Sequence, residues 1–277
     1  MQEPAARAPG HTNAAEGTAR MDADVEHPLD GRATEGVVRV GDTVRRPAGP
    51  WTDAVDALLV HLESVGFTGA PRALGRDARG RQVLEYVPGE VGDPAGTYPV
   101  AELREIGAFL ADFHRAAESF RPPRSASWNR VIEPDREDLI CHSDAAPWNL
   151  VRSPRGWVLI DWDAAGPGSR LWEVAYAAQS IAGLRPDRPP AVAAERLAAF
   201  VDGYGLGAAD RESLVPLLGR RARAMFDLLR VGAERGVRPW AQIWPEDGPY
   251  WGATAEYLDR HADRWRRALR PGRAVGE

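Results

Sequence analysis

The 277-residue sequence has no lysine, one cysteine and only 3 methionines. A single thiol, Cys141, excludes an intramolecular disulfide framework and any multi-cysteine metal site. Beside a strand-like run it reads as a small core residue. Without lysine, all 35 basic residues other than histidine are arginine, so any role usually met by lysine falls to arginine or goes unfilled. No apolar run approaches the roughly 20 residues that span a bilayer. The first 30 residues also lack the charged-then-apolar order of a secretory signal. Together these absences make the cytoplasm the expected location, with no membrane partner. An excess of basic charge is missing too: the formal net charge is -5, which argues against general nucleic-acid binding because phosphate neutralisation needs a basic surface. What remains, 44% hydrophobic and 27% charged residues, is the make-up of a soluble globular protein with a substantial core.

Residues 1–34 are rich in Ala, Gly, Glu and Arg without apolar periodicity and read as a disordered leader, with Met21 inside it as a candidate start. From Gly36 the pattern changes. "VVRV", "GD" and "TVRR" are two β-rich runs around a two-residue turn, a hairpin. Between Trp51 and Gly66, Val55, Leu58, Leu59 and Leu62 share one helical face, and "VLEYV" (83–87) is the return strand of a sheet. Residues 35–90 thus form a small lobe of antiparallel strands with one helix. "PGEVGDPAG" (88–96) is a turn-rich hinge, beyond which Ile106, Phe109, Leu110, Phe113 and Ala117 mark an amphipathic helix. Further helices are predicted over about 190–204, 211–233 and 252–269, making 91–270 a larger, mainly helical lobe and 271–277 a tail. The class is α+β.

The chemistry concentrates in "ICHSDAAPWNLVRSPRGWVLIDWD" (140–163). "LIC" (139–141) reads as a short strand, followed by a loop, then "LVR" and "WVLI" as antiparallel strands joined by the turn-like "SPRG" (153–156). Asn149 stands just before the outgoing strand and Asp161 just after the returning one, so the hairpin brings them together beside the loop holding Asp144. Two carboxylates and an amide oxygen are hard donors, suited to Mg²⁺ rather than zinc, and Mg²⁺ usually arrives with substrate phosphates. Asp144 and Asn149 have the spacing of the kinase catalytic loop H-R-D-x-x-x-x-N, in which the aspartate receives the hydroxyl proton and the asparagine holds a metal. Asp163 can reach the same site or brace the loop.

At "CHSDAAPWNLV", "VLIDWDAAGPG" and "RLWEVAYA" the chain resembles the aminoglycoside phosphotransferase family. Weaker similarity in "GVVRVGDTVRRP" and "LEYVPGE" extends it over nearly everything beyond the leader. The resemblance implies a two-lobed, protein-kinase-like fold and transfer of the γ-phosphoryl group of ATP or GTP to a hydroxyl of a small molecule, with Mg²⁺. It implies Asp144 as catalytic base or hydroxyl-orienting group, Asn149 and Asp161 as metal ligands, and a structural His142. Backbone groups near Tyr86 and Val87 would meet the purine. The family's phosphate-gripping lysine is absent, leaving Arg46, or secondarily Arg45, in its place; the partner acid on the following helix would be Asp56, or less well Asp53. Ser143 replaces the commoner glycine of His-Gly-Asp, and Glu173 stands where an aspartate is usual. The expected state is a monomer or weak homodimer. Asp227, Glu234, Glu246 and Asp247, among Trp240, Trp244, Tyr250 and Trp251, are candidates for holding a cationic acceptor.

Two other readings compete. The missing lysine favours a non-catalytic nucleotide-binding or regulatory protein. His142-x-Asp144 with His261 is the donor set of a two-histidine, one-carboxylate iron site, but His261 falls in a helical segment where such an oxygenase would continue with strands.

Overall fold

A computed structural model describes residues 25–29, 35–93 and 98–270. The candidate start Met21, most of the leader, the end of the hinge and the tail lie outside the described residues.

The small lobe is a five-stranded antiparallel sheet in the order β1-β2-β3-β5-β4. Its strands are β1 (His27–Pro28), β2 (Val38–Val40), β3 (Thr43–Arg46), β4 (Ala73–Arg76) and β5 (Gln82–Glu85). Gly41 and Asp42 form the predicted two-residue turn between β2 and β3, with Gly41 at φ 56°, the left-handed conformation such turns require. β1 falls inside the stretch read as leader. Two residues carry too little pattern to show in a sequence, and it is pairing with Val38 and Arg39 that makes them a strand. Helix α1 (Thr52–Ser64) buries Val55, Leu58, Leu59 and Leu62 as the periodicity predicts. It gives way to Gly66 at φ 82°, where a side chain would be strained.

Two smaller sheets follow: β6 (Glu90–Val91) with the hairpin β8 (Leu150–Ser153) and β9 (Gly156–Leu159), and β7 (Leu139–Cys141) with β10 (Gly166–Gly168). The rest is helical: α2 (Val100–Ala117), α3 (Arg170–Ile181), α4 (Pro190–Tyr204), α5 (Ala208–Glu234), α6 (Trp240–Arg260) and α7 (Ala262–Ala268). Ser169 caps α3 by accepting the Trp172 N–H at 3.2 Å, which satisfies one orphan donor of the first turn. Among the described residues no helix is long and apolar enough to cross a membrane.

Helix α6 begins at Trp240, not near 252 as predicted, and runs through Pro245 and Pro249. Proline removes a helical hydrogen bond and normally ends a helix. Here the aromatic face prevails: Trp244 packs 5.5 Å from Phe226 of α5, and Gly232 leaves room for Trp240. Backbone proximity also joins α2 to α4. A Cβ on Gly107 would lie 2.2 Å from the Phe200 carbonyl oxygen, and one on Gly203 would lie 2.0 Å from that of Arg104.

Gly107→Ala must push these helices apart. It is expected to cost roughly 1–3 kcal/mol of stability, read as a lower urea midpoint at unchanged m-value. An unchanged midpoint would show that the interface has room to spare.

Candidate active site

Strand β7 delivers the loop His142–Ala146, a 3-10 turn covers Pro147–Asn149, and the hairpin β8–β9 returns the chain to Asp161. Pairing of Leu150 with Leu159 sets the register, and the Ile160 N–H donates to the Asn149 carbonyl at 2.8 Å. Asn149 and Asp161 are thereby held at the same end of the hairpin.

Asn149 donates both contacts of its Nδ2 to Asp144, to the carbonyl oxygen at 3.0 Å and to Oδ2 at 2.8 Å. That fixes the amide so that Oδ1 is its remaining donor oxygen. The other carboxylate oxygen of Asp144, Oδ1, accepts the Tyr176 hydroxyl at 2.7 Å. Burial pushes the Asp144 pKa up, with the Tyr176 hydrogen bond and the charge of Arg221 opposing it. His142 uses both ring nitrogens on backbone: Nε2 donates to the Ile160 carbonyl at 3.0 Å and Nδ1 accepts from the Asp144 N–H at 3.3 Å. No ring nitrogen is left for iron.

The loop is clamped from behind. Glu173 on α3 accepts from the Ser143 N–H at 2.6 Å, the His142 N–H at 3.2 Å and His114 Nε2 at 2.7 Å. His114 Nδ1 takes the Tyr204 hydroxyl at 2.6 Å. Ser143 sits at φ 68°, a strained conformation for any residue but glycine. The Ser143 carbonyl accepts from Arg221 Nη2 at 3.4 Å, and that guanidinium lies 4.3 Å over the Tyr176 ring. Cys141 is buried, its thiol directed at the Ser169 carbonyl 3.6 Å away, and burial raises its pKa, as suits a core residue.

The expected Arg46–Asp56 pair does not form. Gln82 faces Arg46 across the β3–β5 register, and its Nε2 donates to Asp56 Oδ1 at 2.6 Å. Arg76 lies 3.4 Å from the other Asp56 oxygen and 2.5 Å from Asp53. Arg46 instead crosses to the large lobe, where Nη2 donates to Asp161 Oδ1 at 2.9 Å and Asp163 Oδ2 at 2.5 Å. Asp163 is thus seated on an arginine, and burial raises its pKa against that charge. Asp161 has φ 59° and a side chain 42% exposed. Arg45 turns to Thr43 and Asp77. The Tyr86 N–H is taken by the Asp42 carbonyl, with Arg39 over its ring; Val87 packs on Val151 and Val158.

The acceptor-side candidates divide. Asp227 and Glu234 both pair with Arg230 on the surface of α5. Trp251 stacks 6.2 Å from Tyr176, and the Tyr250 hydroxyl accepts from Gln179 at 3.1 Å. Tyr176 and Arg221 were missed from sequence. Tyr176 follows Glu173 by three positions in "RLWEVAYA", one helix face, so a signal was present. Arg221 left only an arginine among the buried Leu217, Leu218 and Ala222. The donor set suits a hard cation: Asn149 and Asp161 sit at the same end of the β8–β9 hairpin and offer an amide oxygen and a carboxylate, with no sulfur or free imidazole among them.

Residues 126–217 match the model of a phosphotransferase enzyme family. The trifolitoxin immunity protein of Rhizobium leguminosarum bv. trifolii is 33% identical over 243 residues, spanning 80% of this chain and 91% of that protein. A choline/ethanolamine kinase family protein from Mesorhizobium loti has a similar structure, with a TM-score of 0.59 and 16% identity over 91% of this chain and 98% of the other. An amicoumacin kinase solved with AMP-PNP and Ca²⁺ has a TM-score of 0.58 and 11% identity over 91% and 94%. The fold is protein-kinase-like, with a small antiparallel-sheet lobe and a helical lobe, as the motifs implied. The chain belongs to the phosphotransferase enzyme family, and by family it is a phosphotransferase.

The Glu173 clamp has a pH signature. Burial alone would raise the Glu173 pKa, but the hydrogen bond and charge of His114 and the loop N–H groups hold it below the ordinary glutamate value. A depressed folded-state pKa stabilises the fold fully above the glutamate range and loses that contribution as pH falls through the folded value. Glu173→Gln is expected to cost roughly 2–4 kcal/mol at neutral pH and to flatten the acid-side decline of stability. Denaturant melts across acid pH check this; an equally steep decline in the variant would assign the acid sensitivity to other groups.

Proposed function

We infer that the chain transfers the γ-phosphoryl group of ATP or GTP to a hydroxyl of a small molecule, with Mg²⁺ held by Asn149 and Asp161. The observation that carries this reading is the placement of Asn149, hydrogen-bonded to Asp144, at the same end of the β8–β9 hairpin as Asp161. When bound, Mg²⁺ would offset charge on the transferring phosphates. Asp144 has one oxygen held by Tyr176 and the other by Asn149, so the carboxylate is aimed before substrate arrives. Its burial-raised pKa makes it a better acceptor for the hydroxyl proton. Arg46 brings positive charge to the same place.

The acceptor reading draws on the relatives. The immunity protein and the amicoumacin kinase favour a toxic or antimicrobial compound bearing a hydroxyl over an amino-alcohol metabolite such as choline. Pairing of Asp227 and Glu234 with Arg230 weighs against an acceptor gripped by these acids through several positive charges.

Purified protein with Mg²⁺ and ATP or GTP, set against trifolitoxin, amicoumacin, aminoglycosides, choline and amino-acid alcohols, should yield one phosphorylated product by mass spectrometry. Asp144→Asn should lower that transfer by roughly 10²–10⁴-fold while nucleotide binding is largely kept. Unchanged transfer in the variant sinks the role given to Asp144. Nucleotide binding with no transfer to any compound would instead favour a non-catalytic, nucleotide-binding protein.

A further inference from the structure

Arg46 is the cation of the small lobe that reaches the candidate metal site, and its guanidinium does so through one nitrogen. Nη2 lies within hydrogen-bond distance of both Asp161 Oδ1 and Asp163 Oδ2, while the Arg46 side chain is only 6% exposed. Such charge-assisted contacts are strongest on the buried side of the set, between Arg46 and Asp163, and are screened more at the half-exposed Asp161. Asp56, the helix acid expected to meet it, is engaged by Gln82 and Arg76, and among the described residues the guanidinium pairs with Asp161 and Asp163. Asp161 and Asp163 bring two negative charges against the one positive charge of Arg46, beside the neutral Asn149 amide and the Asp144 carboxylate to which it is bonded. A divalent cation entering this set would face a guanidinium already seated on the same carboxylates. Arg46 Nε, moreover, is buried without an acceptor, an unmet donor that costs stability and that an incoming phosphate oxygen would satisfy.

We propose that Arg46 is an internal counter-cation that keeps divalent metal off the Asp161 and Asp163 carboxylates until a nucleotide supplies anionic oxygens for both cations. The inference rests on the reading of Asn149 and Asp161 as metal ligands. It makes uptake of metal and of nucleotide mutually dependent, since a coupling between two ligands acts equally in both directions. It also gives the arginine a function beyond standing in for lysine. The planar fork can hold carboxylates through one nitrogen and offer its other donors to phosphate, whereas an ammonium is a single compact charge.

The test is a Mn²⁺ titration of the full chain with and without AMP-PNP, in which protein-bound Mn²⁺ is the loss of the free Mn²⁺ electron paramagnetic resonance signal beyond that of a protein-free solution with the same Mn²⁺ and AMP-PNP. The proteins are the wild type, Arg46→Met, and Arg46→Met combined with Asp161→Asn. Wild type should take up Mn²⁺ only when AMP-PNP is present. Arg46→Met should gain a nucleotide-independent site at least about tenfold tighter than wild type, and the added Asp161→Asn should remove it. Equal binding by wild type and Arg46→Met without nucleotide overturns the proposal. Tight Mn²⁺ binding by the wild type alone also overturns it, whether or not the variant folds. If Mn²⁺ is taken up only with AMP-PNP by wild type and Arg46→Met alike, the metal ligands stand and the role of Arg46 falls. If neither protein takes up Mn²⁺ even with AMP-PNP, the ligand assignment itself fails and the inference with it.

Discussion

The buried carboxylate of Glu173 is the contact on which the rest of the site depends. It collects the backbone N–H groups of His142 and Ser143 and the His114 imidazole, and His114 in turn takes the Tyr204 hydroxyl. Three helices, α2, α3 and α4, thereby hold one loop. A carboxylate can be this deeply buried only because every contact is to a donor; without them desolvation would neutralise it. The return is rigidity where it matters, since Ser143 is kept at a positive φ that the isolated chain would avoid.

From that anchor the geometry of the candidate site follows by short steps. The clamped loop places Asp144, and Tyr176, one turn beyond Glu173 on the same helix, reaches Asp144 from the side. Asn149 reaches it from the end of the 3-10 turn. His142 ties the loop to Ile160, so the backbone leading to Asp161 is fixed by the same residues that fix Asp144. Arg221, buried beneath Tyr176 and the Ser143 carbonyl, adds positive charge behind two acids, Asp144 and Glu173.

Much of this was legible in the sequence where the signal was local. The β2–β3 hairpin, the apolar face of α1, the strand ending at Cys141 and the β8–β9 hairpin were all readable, because turn chemistry and side-chain periodicity act over a few residues. The H-x-D-x4-N spacing and the hairpin sufficed to bring Asp144, Asn149 and Asp161 together. The length of α6 was not readable, because Pro245 and Pro249 argue locally against a helix that aromatic packing on α5 sustains. The strand β10, "GPG", has no strand signal of its own and exists through pairing with β7.

The partners of the charged groups were decided by tertiary structure alone. The family resemblance nominated Arg46 and Asp56 as a pair, but ion pairing depends on which elements pack and on what else competes at each acid. Gln82 intercepts Asp56, and closure of the small lobe against the β8–β9 hairpin delivers Arg46 to Asp161 and Asp163. The sequence by itself determined which oxygen donors share the catalytic loop and the hairpin, since backbone pairing and residue spacing are short-ranged. Only the folded chain determined which cation those donors face, since that cation comes from another lobe, 115 residues away in the sequence.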